Sequence, residues 1–436
     1  MNIFMILEDA LRPDHLGCYG YEKDTSPNID RLAREGVLFK NCIAVASHTF
    51  PPIVSTLMGQ TTASHGLVNA RAYAGWAESP YWQNRQTPLT ILESRGYLID
   101  GELVLRWAPL GFSRDTAGEQ IEAYLEKHSA DRWFFLAEPY PTHLPYNPPQ
   151  EYFNAYLDPG YSLSAATQQR IEVVRKYLLV HPPGMISKLE AGEAEPLPDE
   201  KTDGAHKRNV GIVDFDVQKD RPAVTALYDG EVRVFDDLVG RWVAKLEELE
   251  LLDDTLVVIV ADHGEELLER GYVGHCSCNL KGTLYDEAIK VPLILRCPKV
   301  LPAGRVIENQ ISQIDIMPTI FDLLGIEALK FMEGRSTRAL IEARSDSFRE
   351  ESFAETPPAG WQALQDDDRE IWCVRTASWK LILNTTRSGA YLRFELYNLK
   401  QDPAELQDLY RVDHPQGRRL RPKLERFIRR ARRVKL

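Results

Sequence analysis

The sequence predicts an α/β protein built on a large, mostly parallel central sheet that is flanked by helices. Two apolar runs support this prediction, residues 2–7 and residues 255–261. Neither run alternates apolar with polar residues, which indicates strands buried on both faces, as in parallel sheets. The first run ends in acids at Asp9, and the second ends at Asp262-His263. With 436 residues, of which 44% are hydrophobic, the chain can bury a large core.

The ends of these two strands indicate where a site would lie. In open α/β sheets ligands bind beyond the carboxyl ends of the strands, and Asp9, Asp262 and His263 fall at such ends. Two carboxylates and an imidazole suit one hard-to-borderline divalent cation. The alternative is that Asp9 and Asp262 are helix N-caps that follow short βα turns.

Thr49 is the candidate nucleophile. It precedes Pro51-Pro52 in a segment that reads as a loop followed by a helix, which we expect to begin at the prolines. A hydroxyl ahead of a helix N-terminus, near metal-binding side chains, can act as a nucleophile or as a metal ligand. The alternative is an ordinary N-cap threonine.

The remaining elements are predicted as follows. An amphipathic helix over 228–250 leads into the strand at Thr255, and a polar insertion at about 155–225 precedes it. The segments Trp372–Val374 and Lys380–Leu383 indicate a small antiparallel sheet, which a terminal helix follows. We therefore expect a catalytic domain over 1–340, and a C-terminal subdomain over 341–436 with a basic helical tail.

Ordered motifs along nearly the whole chain resemble those of one family, the sulfatases and related phosphohydrolases of the alkaline phosphatase superfamily. The segments that carry the resemblance are Asp9–Gly20, Ser26–Phe39, Gly59 with His65-Gly66, Pro141–Tyr146, Asp262–Glu265, Gly274-His275, Lys281, Tyr285–Glu287, Val291–Ile294, Asp315–Thr319 and Glu395–Pro403. Any one of these motifs is weak, but their order and spacing together are specific. The resemblance implies an alkaline phosphatase-like fold and an ester hydrolase. Within it, Ser26 is expected to cap the first helix and Gly36 to end it.

The nucleophile position departs from the sulfatase pattern. Sulfatases carry Cys or Ser there, followed at fixed spacing by Pro and Arg, and oxidise the Cys or Ser to formylglycine. This chain has Thr49, Pro51 and Ile53. Threonine cannot give the aldehyde because its Cβ carries a methyl group. The departure resembles the phosphodiesterase, phosphonoacetate hydrolase and phosphoethanolamine transferase branches, in which the hydroxyl attacks phosphorus directly, and it implies a phosphothreonine intermediate.

The resemblance also assigns roles to further residues. Asp9, Thr49, Asp262 and His263 would bind one metal ion. Lys281 would balance charge on a substrate oxygen, and Asn69 would hydrogen-bond to the substrate. His143 and His275 would protonate the leaving alkoxide or activate water, although His275 could instead ligate the metal. The sequence does not choose between these roles.

The ligand set bears on the identity of the metal. Many sulfatases have a second Asp where this chain has Ala10, and Asn where it has His263. These changes favour Mn²⁺ or Zn²⁺, with Ca²⁺ or Mg²⁺ still open. A second metal at Asp203 and His206 is a weaker prediction, since their spacing is one residue short of the Asp-x-x-x-His of two-metal relatives. We interpret Cys276 and Cys278 as a structural or incidental pair.

Three functions remain open beside the phosphorus ester hydrolase. They are a sulfatase-like hydrolase without formylglycine, a phosphotransferase and, least favoured, a non-catalytic binding protein. The net charge of −12 argues against nucleic-acid binding. No segment approaches the roughly 20 apolar residues of a membrane span. The first strand begins at Asn2, leaving no room for a signal peptide, and the six cysteines are scattered. We therefore expect a cytoplasmic enzyme that acts on a small-molecule ester.

The basic tail has two interpretations. Residues 411–436 contain 11 Lys or Arg and two acids. Such a helix can bind an anionic membrane or nucleic acid, or dock on the acidic body of its own chain or of another subunit. We favour docking. A homo-oligomer through this tail or through the 155–225 insertion is a further prediction.

Overall fold

The computed structural model describes residues 1–69, 86–102, 110–112, 114–115, 120–183, 210–279, 281–357, 360 and 369–434. The strands are β1 (Asn2–Glu8), β2 (Val37–Ile43), β3 (Leu98–Glu102), β4 (Arg114–Asp115), β5 (Trp133–Ala137), β6 (Leu179–His181), β7 (Val210–Ile212), β8 (Thr255–Ala261), β9 (Glu266–Leu267), β10 (Val273–Gly274), β11 (Lys290–Arg296), β12 (Arg305–Ser312), β13 (Ser352–Thr356), β14 (Arg369–Arg375), β15 (Trp379–Thr386) and β16 (Tyr391–Asn398).

The helices lie between these strands and after the last one. They are α1 (Pro27–Glu35), α2 (Phe50–Met58), α3 (Thr62–His65), α4 (Pro88–Ser94), α5 (Ile121–Lys127), α6 (Gln150–Tyr156), α7 (Ala165–Lys176), α8 (Val217–Glu248), α9 (Cys276–Asn279), α10 (Asp286–Ile289), α11 (Ile316–Leu323), α12 (Arg338–Ile341) and α13 (Pro415–Val434). Single 3-10 turns occur at Pro13–His15, Gly17–Tyr19, Leu252–Asp254 and Gln313–Asp315. None of the described helices combines the length and the apolar character needed to cross a bilayer.

Eight strands form the central sheet in the order β12-β2-β11-β8-β1-β5-β3-β4. Strand β11 is antiparallel to both of its neighbours, whereas the other pairs in this sheet are parallel. The two strands predicted from the apolar runs, β1 and β8, are adjacent and parallel, with Ile3 opposite Leu256 and Glu8 opposite Ala261. Both are buried along their whole length. The predicted α/β fold with a mostly parallel sheet is confirmed.

The sequence predicts that Ser26 caps α1. This prediction is wrong, because a residue distant in sequence caps the helix. The Ser26 side chain makes no cap bond to α1; its Oγ accepts from the Gly17 amide at 2.9 Å and donates to Asp30 Oδ1 at 3.0 Å. The first free amides of α1 donate instead to Asp236 on α8, from Ile29 N at 2.9 Å and from Asn28 N at 3.2 Å. A carboxylate from another helix has therefore replaced the local hydroxyl.

Helix α8 is longer than the helix predicted over 228–250. It begins at Val217, and the Asp216 side chain accepts from the Lys219 amide at the start of the helix. Pro222 lies inside it, in the sixth position. Packing against α6, α1 and α7 accompanies the added turns and holds them in place despite this proline. Of the predicted insertion, residues 184–209 lie outside the described residues, including Asp203 and His206.

The C-terminal region is a four-stranded antiparallel sheet, β13-β14-β15-β16, with α13 packed on it, as predicted. The apolar face of α13 is buried against the sheet, with Phe427 stacked on Phe353 at a ring separation of 4.7 Å. Basic side chains pair with acids of the same chain: Arg419 contacts Glu350, and Arg432 contacts Glu370. The tail therefore docks on its own chain. Oligomerisation stays a prediction.

Candidate active site

The carboxyl edge of the central sheet brings the predicted site residues together. Asp9 follows β1, Asp262 and His263 follow β8, and Thr49 lies in the segment between β2 and α2. One carboxylate oxygen from each aspartate and one ring nitrogen of His263 lie within 4.8 Å of one another. Parallel strands end at the same edge of a sheet, so this convergence follows from the predicted topology.

The carboxylate of Asp262 is held by the backbone on one side only. Its Oδ1 accepts from the Ala10 amide at 3.1 Å and from the His263 amide at 2.7 Å. Its Oδ2 is buried without a hydrogen-bond partner and lies 3.4 Å from His263 Nε2. One oxygen thus fixes the side chain, and the other faces the site.

The ring of His263 is also held by the backbone through one atom, which leaves its other nitrogen facing the site. Its Nδ1 lies 2.8 Å from the Gly264 carbonyl, which can only accept, so Nδ1 carries the proton. The bare Nε2 then faces Asp9 Oδ1 at 3.4 Å and Asp262 Oδ2. Burial, followed by the nearby His275, lowers the pKa of His263 to about 3, so the ring is neutral at physiological pH.

Three lone-pair-bearing atoms therefore converge in the interior: Asp9 Oδ1, Asp262 Oδ2 and His263 Nε2. Burial, and next the carboxylate of Asp9, raise the pKa of Asp262 well above its usual range. Asp9 Oδ1 is also buried without a hydrogen-bond partner in the described part of the chain. Such a set is costly unless a cation occupies its centre, and oxygen and imidazole donors suit a divalent ion. The residues present fit the predicted metal.

Thr49 points into this set and does not cap its helix. Its backbone is helical, with φ −52° and ψ −51°, and its side chain makes no cap bond. The hydroxyl Oγ1 donates to Asp9 Oδ2 at 3.2 Å and lies 3.5 Å from His263 Nε2. The side chain is partly exposed, so a substrate can reach it. The N-cap alternative is wrong, because the side chain is directed to the ligand atoms and the next two positions after Phe50 are prolines without N–H groups.

Ile53 occupies the position where sulfatases have Arg. It is 2% exposed and belongs to the main hydrophobic core. Its side chain therefore contributes packing and offers no charge to the site. Ala10, the other departure, is buried with φ +63°, a left-handed conformation that is strained for a residue with a Cβ. The Tyr228 hydroxyl holds this turn by donating to the Ala10 carbonyl at 2.7 Å and accepting from the Arg12 amide at 2.8 Å.

The loop that carries His143 is fixed by Glu8, a buried acid that the sequence analysis had not singled out. Glu8 Oε1 accepts from the Thr142 amide at 2.9 Å and from the Thr142 hydroxyl at 2.8 Å. His143 follows directly, with Nδ1 2.5 Å from the Leu144 carbonyl. Burial raises the pKa of Glu8, against the lowering effect of the Thr142 hydrogen bonds.

His275 lies beside His263, and its orientation depends on a second unforeseen acid. The two imidazole centroids are 4.3 Å apart, and those of His143 and His275 are 4.8 Å apart. His275 Nδ1 lies 3.1 Å from Glu265 Oε1, and both residues are almost fully buried. Cys278, which we had interpreted as structural or incidental with Cys276, contacts both His143 and His275. The spacing of three between His275 and Cys278 was the available sequence signal.

Two predicted substrate-binding residues have different surroundings. The Lys281 amide donates to Asn279 Oδ1 at 3.0 Å, and Lys281 Nζ lies 3.9 Å from the centroid of the Tyr272 ring. Asn69 is partly exposed and follows Val68, whose carbonyl lies 2.9 Å from Nε2 of His48, the neighbour of Thr49. The loop of Asn69 therefore reaches the nucleophile segment. The roles of both residues stay predictions.

Comparisons with known proteins identify the class. The sulfatase family model matches residues 1–109 and 107–326, and a model described as the C-terminal part of N-sulphoglucosamine sulphohydrolase matches 277–433. This chain belongs to the sulfatase family, and it is an ester hydrolase of the alkaline phosphatase superfamily. An arylsulfatase of Clostridium perfringens is 24% identical over 94% of this chain and 90% of its own length.

Solved structures confirm the alkaline phosphatase-like fold. One is a protein in complex with its substrate D-glucosamine-2-N,6-O-disulfate, with a TM-score of 0.71, 20% identity, and coverage of 99% of this chain and 98% of that one. Another is the phosphonate monoester hydrolase of Agrobacterium radiobacter, with a TM-score of 0.68, 20% identity, and coverage of 100% and 96%. Enzymes of this superfamily use a divalent metal ion, in agreement with the ligand set described above.

Proposed function

We propose that this sulfatase-family hydrolase cleaves singly charged phosphorus esters, a phosphodiester or a phosphonate monoester, through a covalent phosphothreonine at Thr49. The observation that carries the proposal is the Thr49 hydroxyl itself. It lies 3.2 Å from Asp9 Oδ2 and 3.5 Å from His263 Nε2, with its side chain free of any cap bond. An unmodified threonine is thus directed to the atoms that would activate it.

The chemistry begins with in-line attack of Thr49 Oγ1 on phosphorus. The Oγ–P bond forms, the bond from phosphorus to the ester oxygen breaks, and the hydroxyl proton passes to Asp9 Oδ2, its hydrogen-bond acceptor. The alkoxide leaves and takes a proton from solvent or from a neighbouring acid. Water then attacks phosphorus in the phosphothreonine, which releases the phosphorus acid and restores Thr49.

Asp9, Asp262, His263 and Thr49 would hold one divalent ion, with Mn²⁺ or Zn²⁺ favoured. When bound, the ion lowers the pKa of the threonine hydroxyl and offsets negative charge on the substrate. A single ion matches a substrate with one negative charge better than a phosphomonoester dianion. Asn69 and Lys281 are proposed to bind the non-bridging oxygens.

His143 and His275 are the proton donors that the sequence suggested. Each would need Nε2 to carry a proton directed at the substrate. In both rings Nδ1 lies against an oxygen acceptor, the Leu144 carbonyl for His143 and Glu265 Oε1 for His275. A neutral ring with its proton on Nδ1 leaves Nε2 bare, so proton donation from Nε2 requires a second proton on that ring.

Sulfate ester hydrolysis is the second candidate, and the family membership favours it. The relatives include an arylsulfatase and an N-acetylglucosamine-6-O-sulfatase. Sulfatases in general use formylglycine, which a threonine cannot form. A sulfated threonine would have to be cleared by attack of water at sulfur, and Ile53 supplies no charge to assist it. A phosphotransferase, which differs only in the acceptor, and a non-catalytic binding protein are weaker candidates.

The test compares matched aryl esters with one purified enzyme in Mn²⁺: p-nitrophenyl phenylphosphonate, bis(p-nitrophenyl) phosphate, p-nitrophenyl phosphate and p-nitrophenyl sulfate. We expect kcat/KM to be highest for one of the first two. Mass spectrometry should show an unmodified Thr49 peptide at rest and a phosphorylated or phosphonylated one after acid quench. A preference for the sulfate ester would overturn the proposal in favour of a threonine-dependent sulfatase.

The compartment is also a proposal. All six cysteines are free in the structure, and most are buried. Reduced thiols support a reducing, cytoplasmic setting. Its test is the fractionation of cells that express the full-length gene product with a C-terminal tag.

A further inference from the structure

A second cluster of metal-binding atoms lies beside the one already described. It consists of His143, His275 and Cys278, whose ligand atoms all lie within 4.8 Å of one another. His143 comes from the loop after β5, whereas His275 and Cys278 come from the start and the end of the α9 segment. The proposed reaction does not use the thiol, so the cluster needs its own explanation.

The distances within this cluster match those of a metal site. Cys278 Sγ lies 3.6 Å from His275 Nε2 and 3.7 Å from His143 Nε2. Tetrahedral zinc, with Zn–S of about 2.3 Å and Zn–N of about 2.05 Å, places its sulfur and nitrogen ligands about 3.6 Å apart. The two sulfur–nitrogen distances therefore suit ligands of one ion, and the three ligand atoms lie within 4.8 Å of one another.

The contacts that Nδ1 makes in both histidines are those typical of histidines that bind a metal through Nε2. His275 Nδ1 meets Glu265 Oε1 at 3.1 Å, and His143 Nδ1 meets the Leu144 carbonyl at 2.5 Å. A carboxylate or a carbonyl at the second nitrogen fixes the tautomer and leaves Nε2 as the donor to a metal. Both Nε2 atoms face the same sulfur.

Without a cation this arrangement is unsatisfied. Both Nε2 atoms carry lone pairs, and the single S–H proton of Cys278 can bond to only one of them. His275 and Cys278 are each 2% exposed, so water has little access to this pair, whereas His143 is partly exposed. Two acids, Glu265 and Asp9, lie near the Cys278 thiol, and negative charge there favours an added cation.

We propose that His143, His275 and Cys278 bind a second divalent metal ion of the soft to borderline class, with zinc the best fit. The two sites differ in chemistry: the first offers two carboxylates and one imidazole, and the second offers two imidazoles and one thiolate. Binding requires Cys278 to lose its proton to solvent. The two histidines then act as ligands and not as proton donors.

The test is a cobalt titration of protein stripped with chelator, because a thiolate bound to Co²⁺ gives a near-ultraviolet charge-transfer absorption. The wild-type chain should bind two equivalents, one of which produces that band. Cys278→Ser should lose the band and weaken one equivalent by at least about tenfold. Cys276→Ser is the matched control. It lies on the same helix but contacts Thr356 Oγ1 at 3.3 Å, and it should keep both the band and the stoichiometry.

A second pair of variants separates this inference from the proposed function. Asp262→Asn should abolish the first equivalent and leave the cobalt–thiolate band intact, whatever the substrate proves to be. His143→Ala, at a partly exposed position, replaces Cys278→Ser if that variant does not fold, and should likewise lose the band. A wild-type protein that binds one equivalent without the band, or a band that survives in Cys278→Ser, would overturn the second site.

Discussion

Two groups of buried charged side chains in this molecule differ in whether their charges are paired. The site cluster of Asp9, Asp262 and His263 contains two acids and a neutral imidazole, with carboxylate oxygens that lack hydrogen-bond partners within the described chain. The paired cluster joins α10 to the C-terminal sheet. It contains two acids and two bases, namely Asp286, Glu405, Arg375 and Lys380.

In the paired cluster each carboxylate lies against a cation of the same cluster, although Glu405 Oε1 makes no hydrogen bond within the described chain and burial raises the pKa of Glu405 to about 7. Arg375 binds Asp286 through two bonds of 2.9 and 2.7 Å, and Lys380 Nζ lies 2.6 Å from Asp286 and 2.9 Å from Glu405. Although burial alone would raise the pKa of Asp286, Arg375 and Lys380 outweigh it and hold that pKa well below its usual range. For Asp262 burial acts with its neighbour Asp9, and the pKa rises.

This difference distinguishes a structural use of buried charge from a functional one. Buried charges that are all paired fix the positions of the elements that carry them and make the fold more specific, but they provide no reactive group. A chain that leaves negative charge unpaired forgoes stability until a cation binds. Replacements in the two clusters should therefore have opposite effects on activity and stability.

The largest effect is expected at the nucleophile. Thr49→Val keeps the shape of the side chain but removes Oγ1, and kcat/KM should fall on the order of 10³- to 10⁶-fold, as for loss of other enzymic nucleophiles. The melting temperature should change little, since the hydroxyl caps nothing. Thr49→Ser is the control and should keep measurable activity. Near-full activity in Thr49→Val would remove Thr49 from the chemistry.

The next effect is on stability and belongs to the paired cluster. Lys380 is fully buried, and Lys380→Met leaves Glu405 without its cation. We expect the free energy of unfolding in urea to fall by about 3–5 kcal/mol, with kcat/KM of the folded fraction unchanged. The control is Lys299→Met, which breaks an exposed pair with Asp254 and should cost less than about 1 kcal/mol. Equal costs for the two variants would contradict the comparison.

Much of the central fold could be predicted because local pattern and topology agree. The continuous apolar runs of β1 and β8 specify buried parallel strands, and their ends then bring Asp9, Asp262 and His263 together. The two prolines placed Thr49 just ahead of α2, and the family motif placed Gly59 at the end of this helix, as the structure has them. The family motifs supplied His143 and His275, which no periodicity would have revealed.

What could not be predicted depends on partners that are distant in sequence. Asp236 caps α1 from 207 residues away, so the local Ser26 was a reasonable but wrong choice. Glu8 and Glu265 are acids at strand ends whose hydrogen-bond partners become visible only in three dimensions. Cys278 became a candidate ligand because the loop of His143 crosses α9. The turns of α8 before Tyr228 were not predicted, and they pack against other helices, which a local pattern does not show.

The smallest predicted effect is the pH dependence of stability due to Glu231 on α8. This buried acid lacks an ion pair, like those of the site cluster, but lies outside that cluster. The residue is 7% exposed, its carboxylate accepts from the Asn147 amide at 2.5 Å, and the described chain gives it no ion pair. Burial raises its pKa from 4.5 to about 7, with the Asn147 bond and Arg175 acting in the opposite direction. It is thus an unpaired buried acid outside the site cluster.

Because the folded-state pKa is raised, the contribution of Glu231 to stability is fully present below pH 4.5 and is lost as the pH rises through about 7. The difference between the folded and unfolded pKa values of Glu231 corresponds to at most about 3 kcal/mol of stability. Partial exposure of the side chain and relaxation of its surroundings should reduce this amount. Glu231→Gln keeps a carbonyl for the Asn147 amide but cannot ionise. The variant should match the wild type at pH 4 and exceed its unfolding free energy at pH 8, as measured by urea denaturation at both pH values. Glu22→Gln, at an exposed position, is the control, and its unfolding free energy should follow that of the wild type at both pH values. If Glu231→Gln also followed the wild type, ionisation of Glu231 would not cost the fold stability.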